Sequence, residues 1–180
     1  MSGRPAVFFD RDGIVNVQPT VSRYVERPEA FHLIPEFIES LRLVRARGYA
    51  AVLVTNQRGV GLGLMTRAAL DDLHARLLRQ LADQDLELED IRVCTATDNA
   101  HPDRKPHPGM LLSAARDLGL DLPRSWMIGD RESDVLAGRR AGCRTVRVSI
   151  GAPPTEADHC VPDMAALLLL LTRVLPDVAP

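Results

Sequence analysis

Short apolar segments alternate with longer amphipathic segments along this 180-residue chain. The apolar runs predict five buried strands, at residues 6–9, 50–54, 91–95, 126–128 and 145–148. Between and after them, apolar residues at helical spacing predict helices over residues 37–47, 66–81, 108–118, 133–141 and 163–175. Such alternation favours an α/β fold, namely a three-layer, doubly wound parallel sheet with helices on both faces.

Residues at the ends of these segments support the same boundaries. Thr66 has the character of a helix N-cap, and glycines at 48, 119 and 142 follow the ends of predicted helices. The chain has the length of one domain, which we expect to span residues 1–180. The connections after the first two strands are too short to hold a separate cap domain, so we expect an open site.

The amino-acid composition argues against some classes of binding partner. The formal net charge of −2 and the absence of a basic stripe argue against nucleic-acid binding. The longest apolar run, residues 164–171, is much shorter than the roughly 20 residues of a membrane span, and no secretory leader is recognisable. Three unpaired cysteines suit a reducing compartment. We therefore expect a cytoplasmic monomer that acts on a small molecule and has neither a nucleic-acid nor a membrane partner.

Polar side chains cluster after the predicted strands, at the edge where doubly wound sheets bind ligands. Four segments deliver carboxylates, a hydroxyl and a lysine to this edge: Asp10-Arg11-Asp12-Gly13, Thr55-Asn56, Arg104-Lys105-Pro106 and Gly129-Asp130 with Asp134. Each segment alone is a common turn or a solvated side chain. Their occurrence in order at successive strand ends predicts one phosphate-processing site.

The residue types in this set have a consistent chemistry. Clustered carboxylates repel one another, and Mg²⁺, which commonly binds one or two carboxylates plus substrate oxygens, relieves that repulsion. Asp10 and Asp130 are the expected side-chain ligands. Asp10 is then a candidate nucleophile, and Asp12 would protonate the leaving oxygen and later activate water. Lys105 and Thr55 would hold phosphoryl oxygens.

These motifs resemble those of the haloacid dehalogenase superfamily of phosphohydrolases. The resemblance spans about residues 6–151. Within the superfamily it is strongest to heptose bisphosphate phosphatases, and histidinol-phosphatase relatives share much of the pattern. The segments that carry it are Phe9-Asp10-Arg11-Asp12-Gly13 with Asn16, Val54-Thr55-Asn56-Gln57, Arg104-Lys105-Pro106-His107-Pro108-Gly109-Met110 and Met127-Ile128-Gly129-Asp130.

The resemblance implies release of the C7 phosphate of a heptose 1,7-bisphosphate during synthesis of the lipopolysaccharide core heptose. It implies an aspartyl-phosphate on Asp10, with Asp12 as the acid and base and with Thr55 and Lys105 stabilising the phosphoryl group. Mg²⁺ would bind Asp10, the backbone carbonyl of Asp12 and Asp130. Residues Asn56, Arg104 and Lys105 would contact substrate. Arg58 either reaches the sugar or distal phosphate or is a solvated arginine.

The chain departs from the family pattern in the loop before Lys105. Many members carry a zinc loop there, Cys-x-His followed by Cys-x-Cys. Here only Cys94, His101 and Asp103 could supply ligands, one fewer than the usual four of a structural zinc site. We therefore predict a zinc-free loop. Residues 18–24 form a second departure and are expected to line the entrance to the site.

A flexible substrate loop is predicted at residues 59–63, because its glycines do not have dinucleotide-binding spacing. Three other functions stay open. The same chemistry could act on histidinol phosphate or another small phosphomonoester. An acceptor other than water would make the protein a phosphotransferase. A silent phosphate-binding module is the remaining alternative.

Overall fold

The computed structural model describes residues 3–18, 31–151 and 154–178. Its strands form one parallel sheet in the order β3-β2-β1-β4-β5-β6. The strands are β1 Ala6–Phe9, β2 Ala50–Asn56, β3 Asp90–Cys94, β4 Trp126–Gly129, β5 Arg144–Val148 and β6 His159–Val161. The order reverses between β1 and β4, so the crevice at their carboxyl ends is the place where this topology binds ligands.

Six α-helices accompany these strands in the described part of the chain, five of them between strands and one after β6. They are α1 Pro35–Ala46, α2 Arg58–Gly61, α3 Arg67–Ala82, α4 Gly109–Leu118, α5 Glu132–Ala141 and α6 Met164–Val174. The Thr66 hydroxyl accepts a hydrogen bond from the Ala69 amide at 3.1 Å, which confirms the predicted N-cap of α3. Gly119 and Gly142 end α4 and α5 in left-handed conformations, with φ of 65° and 86°.

The two faces of the sheet bury two separate hydrophobic clusters. Alternate residues of β1 divide between them, because side chains along a strand point to opposite faces. Val7 and Phe9 face helices α1, α3 and α6, and the Phe9 ring packs edge-on against Phe37 with centroids 5.3 Å apart. Ala6 and Phe8 belong to the cluster that contains α4 and α5. The predicted three-layer α/β architecture is therefore confirmed.

Two sequence predictions about local structure are wrong. A sixth strand, β6, follows β5, and it is missed because three residues give too short a hydrophobic pattern. The predicted flexible loop at residues 59–63 instead begins with helix α2. A Cβ atom at Gly61 would lie 2.2 Å from the Thr95 carbonyl oxygen, so glycine lets this helix pack closely against the segment after β3.

The short connections after the first two strands predicted an open site without a cap domain. Between Thr55 and Lys105, the described chain consists of α2, α3, β3 and the segments that join them, with no separate folded unit. Most of the predicted entrance loop, from residue 19 onward, lies outside the described residues. In the part of the chain that the structure describes, none of the helices has the length and apolar character needed to cross a bilayer.

Neighbouring leucines on α3 test the layer arrangement. Leu77 is fully buried in the α1/α3/α6 cluster, whereas Leu78 is 41% exposed. We expect Leu77→Ala to lower the free energy of unfolding by about 2–5 kcal/mol, because it leaves a cavity in the core. Leu78→Ala is the control and should change it by no more than about 0.5 kcal/mol. Urea unfolding measures both. Equal effects of the two substitutions would contradict the assignment of faces.

Candidate active site

The ends of β1 and β4 bring the acidic residues together. Asp10 directly follows β1, and its amide donates to the Ile128 carbonyl of β4 at 2.9 Å, which ties the two strand ends to each other. Asp130 follows β4, and Asp134 lies in the first turn of α5. Gly129 is required beside them, since a Cβ atom there would lie 2.3 Å from the Asp134 Oδ2 atom. The predicted convergence of the first and last motifs is therefore present.

Lys105 occupies the centre of this acidic group. Its Nζ atom donates to Asp10 Oδ1 at 2.5 Å, lies 2.7 Å from Asp134 Oδ1, and donates to the Val54 carbonyl at 2.9 Å. An ammonium has three donors, so all of them are used. Lys105 and Asp134 are only 4% and 2% exposed, and the ion pairs are accordingly screened little by water.

Burial and repulsion from neighbouring carboxylates raise the pKa values of Asp10 and Asp130. The pKa of Asp10 rises to about 7, chiefly through burial, and the Asp134 and Asp130 charges add to the rise while Lys105 opposes it. Burial and Asp134 likewise raise the pKa of Asp130 to about 6. Burial acts to lower the pKa of Lys105, but Asp10 and Asp134 raise it by more, so the ammonium is retained.

Asp10, Asp130 and Asp134 also have the geometry of a cation site. One carboxylate oxygen from each lies within 4.8 Å of the others, the only such group of three acidic, His or Cys residues in the described ranges. Asp130 Oδ1 is buried and has no hydrogen-bond partner among the described residues. A hard divalent cation suits this all-oxygen set, would satisfy that atom and would relieve the repulsion.

Asp12 lies on the other side of the site and is held by several donors. Arg11 donates to both of its carboxylate oxygens, and Asn16 Nδ2 donates to Oδ1 at 3.1 Å. Gln57 Nε2 donates to Asp12 Oδ2 at 3.3 Å and to the Thr55 hydroxyl at 2.8 Å. Thr55 and Gln57 are both buried, so this bridge links two predicted catalytic residues through the interior.

The residues predicted to contact substrate differ in how their side chains are engaged by the protein. The Asn56 side chain binds the backbone of Lys105. Its Nδ2 atom donates to the Lys105 carbonyl at 3.0 Å, and its Oδ1 atom accepts from the Lys105 backbone amide at 3.1 Å. Asn56 therefore supports the Lys105 loop. Arg104 donates to Asn99 Oδ1 and to the Ala96 carbonyl, which orders the preceding loop. Arg58 Nε is buried and has no partner within the described ranges.

Two adjoining cavities open at this edge of the sheet. The inner one, of about 60 Å³, is lined by Asp10, Asp12, Thr55, Asn56, Lys105, Arg131, Ser133 and Asp134. The outer one, of about 680 Å³, is lined by Gln18, Asn56, Arg58, Asn99, Arg104, Lys105, Pro106, Arg131 and Ser133. The inner cavity has three carboxylates beside Lys105 and Arg131, whereas the outer cavity has three arginines and Lys105 but no carboxylate.

The structure thus gathers Asp10, Asp12, Thr55 and Lys105 around one cavity, with Asp130 in the adjoining carboxylate group. Sequence reasoning noted Asp134 but did not include it among the metal ligands. It also assigned no role to Arg11, Asn16 and Gln57, although all three lie within the quoted motifs. The available signal was a polar residue close to a catalytic candidate in sequence: Arg11 is next to Asp10 and Asp12, Gln57 is two positions after Thr55, and Asn16 is four positions after Asp12.

The loop with the incomplete zinc pattern is held by hydrogen bonds in the described residues. Cys94 Sγ lies 3.9 Å from His101 Nδ1, and this nitrogen also accepts from the Asp103 amide at 3.2 Å. The absence of zinc remains a prediction.

Comparison with known proteins places this geometry in a family. A model of HAD-hydrolase-like proteins matches residues 103–167. D-glycero-beta-D-manno-heptose-1,7-bisphosphate 7-phosphatase from Salmonella typhi is 38% identical over 169 residues, covering 86% of this chain and 86% of that protein. The protein of the same name from Pasteurella multocida is 37% identical over 161 residues, covering 85% and 86%.

A solved structure shows the same architecture. D,D-heptose 1,7-bisphosphate phosphatase from B. bronchiseptica, complexed with magnesium and phosphate, superposes with a TM-score of 0.82 at 28% identity. The match covers 94% of this chain and 98% of that chain. From these similarities and the converging motifs, we conclude that the chain belongs to the heptose bisphosphate phosphatase family of haloacid dehalogenase-like hydrolases.

Proposed function

We propose that this protein is a Mg²⁺-dependent phosphomonoesterase that removes the C7 phosphate of D-glycero-D-manno-heptose 1,7-bisphosphate, in synthesis of the lipopolysaccharide core heptose. The observation that carries the proposal is the buried Lys105 ammonium, bound to Asp10 and Asp134 beside a cavity that Asp12 and Thr55 also line. The Salmonella typhi relative, which is named for this 7-phosphatase activity and is 38% identical over 169 residues, supports the choice of substrate. All these residues come from one chain, which we propose acts as a single-domain monomer.

The residues of the inner cavity divide the reaction into two steps. In the first, the Asp10 carboxylate attacks phosphorus, the bond from phosphorus to the sugar oxygen breaks, and Asp12 gives its proton to that oxygen. In the second, Asp12 takes a proton from water, whose oxygen attacks phosphorus and displaces the Asp10 carboxylate. Inorganic phosphate leaves, and both acids return to their initial states.

Positive charge is supplied by protein side chains and by the cation site. Lys105 and Thr55 line the inner cavity, where the ammonium charge and the hydroxyl would stabilise phosphoryl oxygens as charge develops on them. Mg²⁺ would be held by Asp10, Asp130 and Asp134, with the Asp12 carbonyl as the further ligand that the family resemblance implies. Bound there, it would neutralise the carboxylates and polarise the phosphoryl group.

The outer cavity supports a substrate with a second phosphate. Arg58, Arg104 and Arg131 line it, and it adjoins the inner cavity through shared residues such as Asn56 and Lys105. Guanidinium groups bind phosphate oxygens with paired hydrogen bonds. A sugar with its C7 phosphate in the inner cavity would therefore present its distal phosphate to these arginines.

Two alternatives make different predictions in a substrate panel. If histidinol phosphate or another monophosphate had a higher kcat/KM than the heptose bisphosphate, the proposed substrate would be wrong. A phosphotransferase would pass phosphate to an added alcohol, and product analysis would detect the new ester.

The nucleophile is tested by Asp10→Asn. We expect turnover to fall on the order of 10⁴-fold or more, because an amide cannot form the phosphoryl intermediate. The thermal unfolding temperature should stay close to that of the wild type. Asp72→Asn, on the exposed face of α3, is the matched control and should retain activity. A fully active Asp10→Asn protein would rule out the mechanism.

The cation is tested by removal and replacement. After treatment with a chelator and dialysis, we expect activity to vanish and to return when Mg²⁺ is added. Mg²⁺ should also raise the unfolding temperature of the wild type, since it binds only the folded cluster. Asp130→Asn should weaken that rise. Full turnover in excess chelator, or recovery with zinc but not magnesium, would be inconsistent with the proposal.

The second phosphate is tested by Arg58→Gln. We expect KM for the bisphosphate to increase about 10-fold or more, from loss of a charge-assisted hydrogen bond. KM for the same sugar phosphorylated only at C7 should change little. Arg67→Gln, which removes an exposed arginine paired with Asp71, is the control. Equal changes on both substrates would show that Arg58 does not recognise the distal group.

A further inference from the structure

We propose that Arg11 is a positioning residue for the reaction: its buried guanidinium holds the Asp12 carboxylate in one orientation for proton exchange with the leaving oxygen. This inference rests on the proposed function, because it assumes that Asp12 is the acid and base. Arg11 lies between the two acidic residues of the first motif, and its side chain points into the protein rather than toward solvent.

The contacts between Arg11 and Asp12 define one orientation of the carboxylate. Arg11 Nε donates to Asp12 Oδ1 at 3.2 Å, and Nη2 lies 3.0 Å from both Oδ1 and Oδ2. A planar guanidinium that contacts a carboxylate at two points restricts its rotation more than a single donor does. The Arg11 carbonyl also accepts from the Val15 and Asn16 amides at 2.8 and 3.1 Å, so its backbone is anchored in the turn.

The two oxygens of Asp12 differ in the donors that they receive. Oδ1 accepts from Arg11 Nε, Arg11 Nη2 and Asn16 Nδ2, which is more than its two lone pairs accommodate singly. Oδ2 accepts from Arg11 Nη2 and Gln57 Nε2. Among these donors, Arg11 is the side chain that contacts both oxygens, so it fixes the orientation of the carboxylate as a whole.

The held carboxylate lies beside the proposed phosphate site. Asp12 and Thr55 both line the inner cavity, and Gln57 Nε2 joins them by donating to Asp12 Oδ2 and to the Thr55 hydroxyl. Arg11 and Gln57 therefore hold Asp12 from two separate segments of the chain.

The burial of Arg11 indicates a role beyond packing. Its side chain is 0% exposed, and among the described residues Asp12 is the sole carboxylate within salt-bridge distance of it. Its Nη1 atom is buried without a hydrogen-bond partner in the same part of the chain. A charge removed from water with incomplete pairing costs stability that an apolar side chain of similar size would not.

The neighbouring His74 does not compete for Asp12 as a second cation. Burial, followed by the Arg11 charge, lowers the pKa of His74 to about 4, while Asp71 and Asp12 oppose the shift and Arg67 adds to it. The imidazole is therefore neutral near neutral pH. Arg11 is the charged donor that holds the carboxylate.

The dependence of rate on the leaving group tests this role. Phenolate needs a proton to leave, whereas p-nitrophenolate leaves readily without one. With enzyme in excess, a single turnover reports phosphoryl transfer to Asp10 alone. We expect Arg11→Met to slow this step about 100-fold with phenyl phosphate, the scale of general acid catalysis, and by no more than about threefold with p-nitrophenyl phosphate.

Three further variants make the comparison decisive. Asp12→Asn should show the same dependence on the leaving group with a larger loss. Arg11→Lys keeps the charge but contacts the carboxylate at one point, so it should slow the reaction of phenyl phosphate less than Arg11→Met does, and again more than that of p-nitrophenyl phosphate. If Arg11→Met fails to fold, Arg11→Lys tests the role of Arg11 in its place. Arg45→Met, which removes an arginine paired with Glu87 and Glu89 away from the site, should leave both rates within about twofold.

The outcomes separate the two proposals. An equal loss on both esters, or no loss on either, would overturn the role of Arg11 while leaving the phosphatase proposal intact. A wild-type protein inactive on every phosphate ester would contradict the proposed function, and this inference with it.

Discussion

The contact on which the rest of the site depends is the buried interaction of Lys105 with Asp10 and Asp134. Four ionisable groups, including the partly exposed Asp130, meet where water solvates them poorly, and such a cluster is stable only when its charges compensate. The surrounding structure satisfies that requirement in several ways. Gly129 lets Asp134 approach, Val54 occupies the third donor of the lysine, and Asn56 holds the backbone of the lysine loop.

The chemistry and the choice of substrate depend on different parts of the molecule. The inner cavity is built from residues at or just after the ends of β1 and β2, from the first turn of α5 and its N-cap, and from Lys105 of the loop before α4. The outer cavity is lined mainly by side chains of connecting segments, three of them arginines. Because precise placement is needed for proton and phosphoryl transfer but less so for charge recognition, this division lets short loops change specificity without disturbing the reacting groups.

A network of buried polar side chains supports the inner cavity from behind. Gln57 joins Asp12 to Thr55, Asn16 holds the other oxygen of Asp12, and Arg11 contacts both oxygens. In a low-dielectric interior such hydrogen bonds restrict each other, so the orientation of one residue depends on its neighbours. Side chains that do not line the cavity thus contribute to its geometry.

The sequence by itself determined the α/β class, five of the six strands, the N-cap at Thr66 and the segments that supply Asp10, Thr55, Lys105 and Asp130. These follow from local periodicity and from the rule that parallel strands end at one edge. Only the tertiary structure decided that Asp134 joins the carboxylate cluster, that Gly61 packs in a helix, and that Arg11 is buried against Asp12. Each of these depends on distances between segments remote in sequence, or on the direction of a side chain, and hydrophobic patterning contains neither.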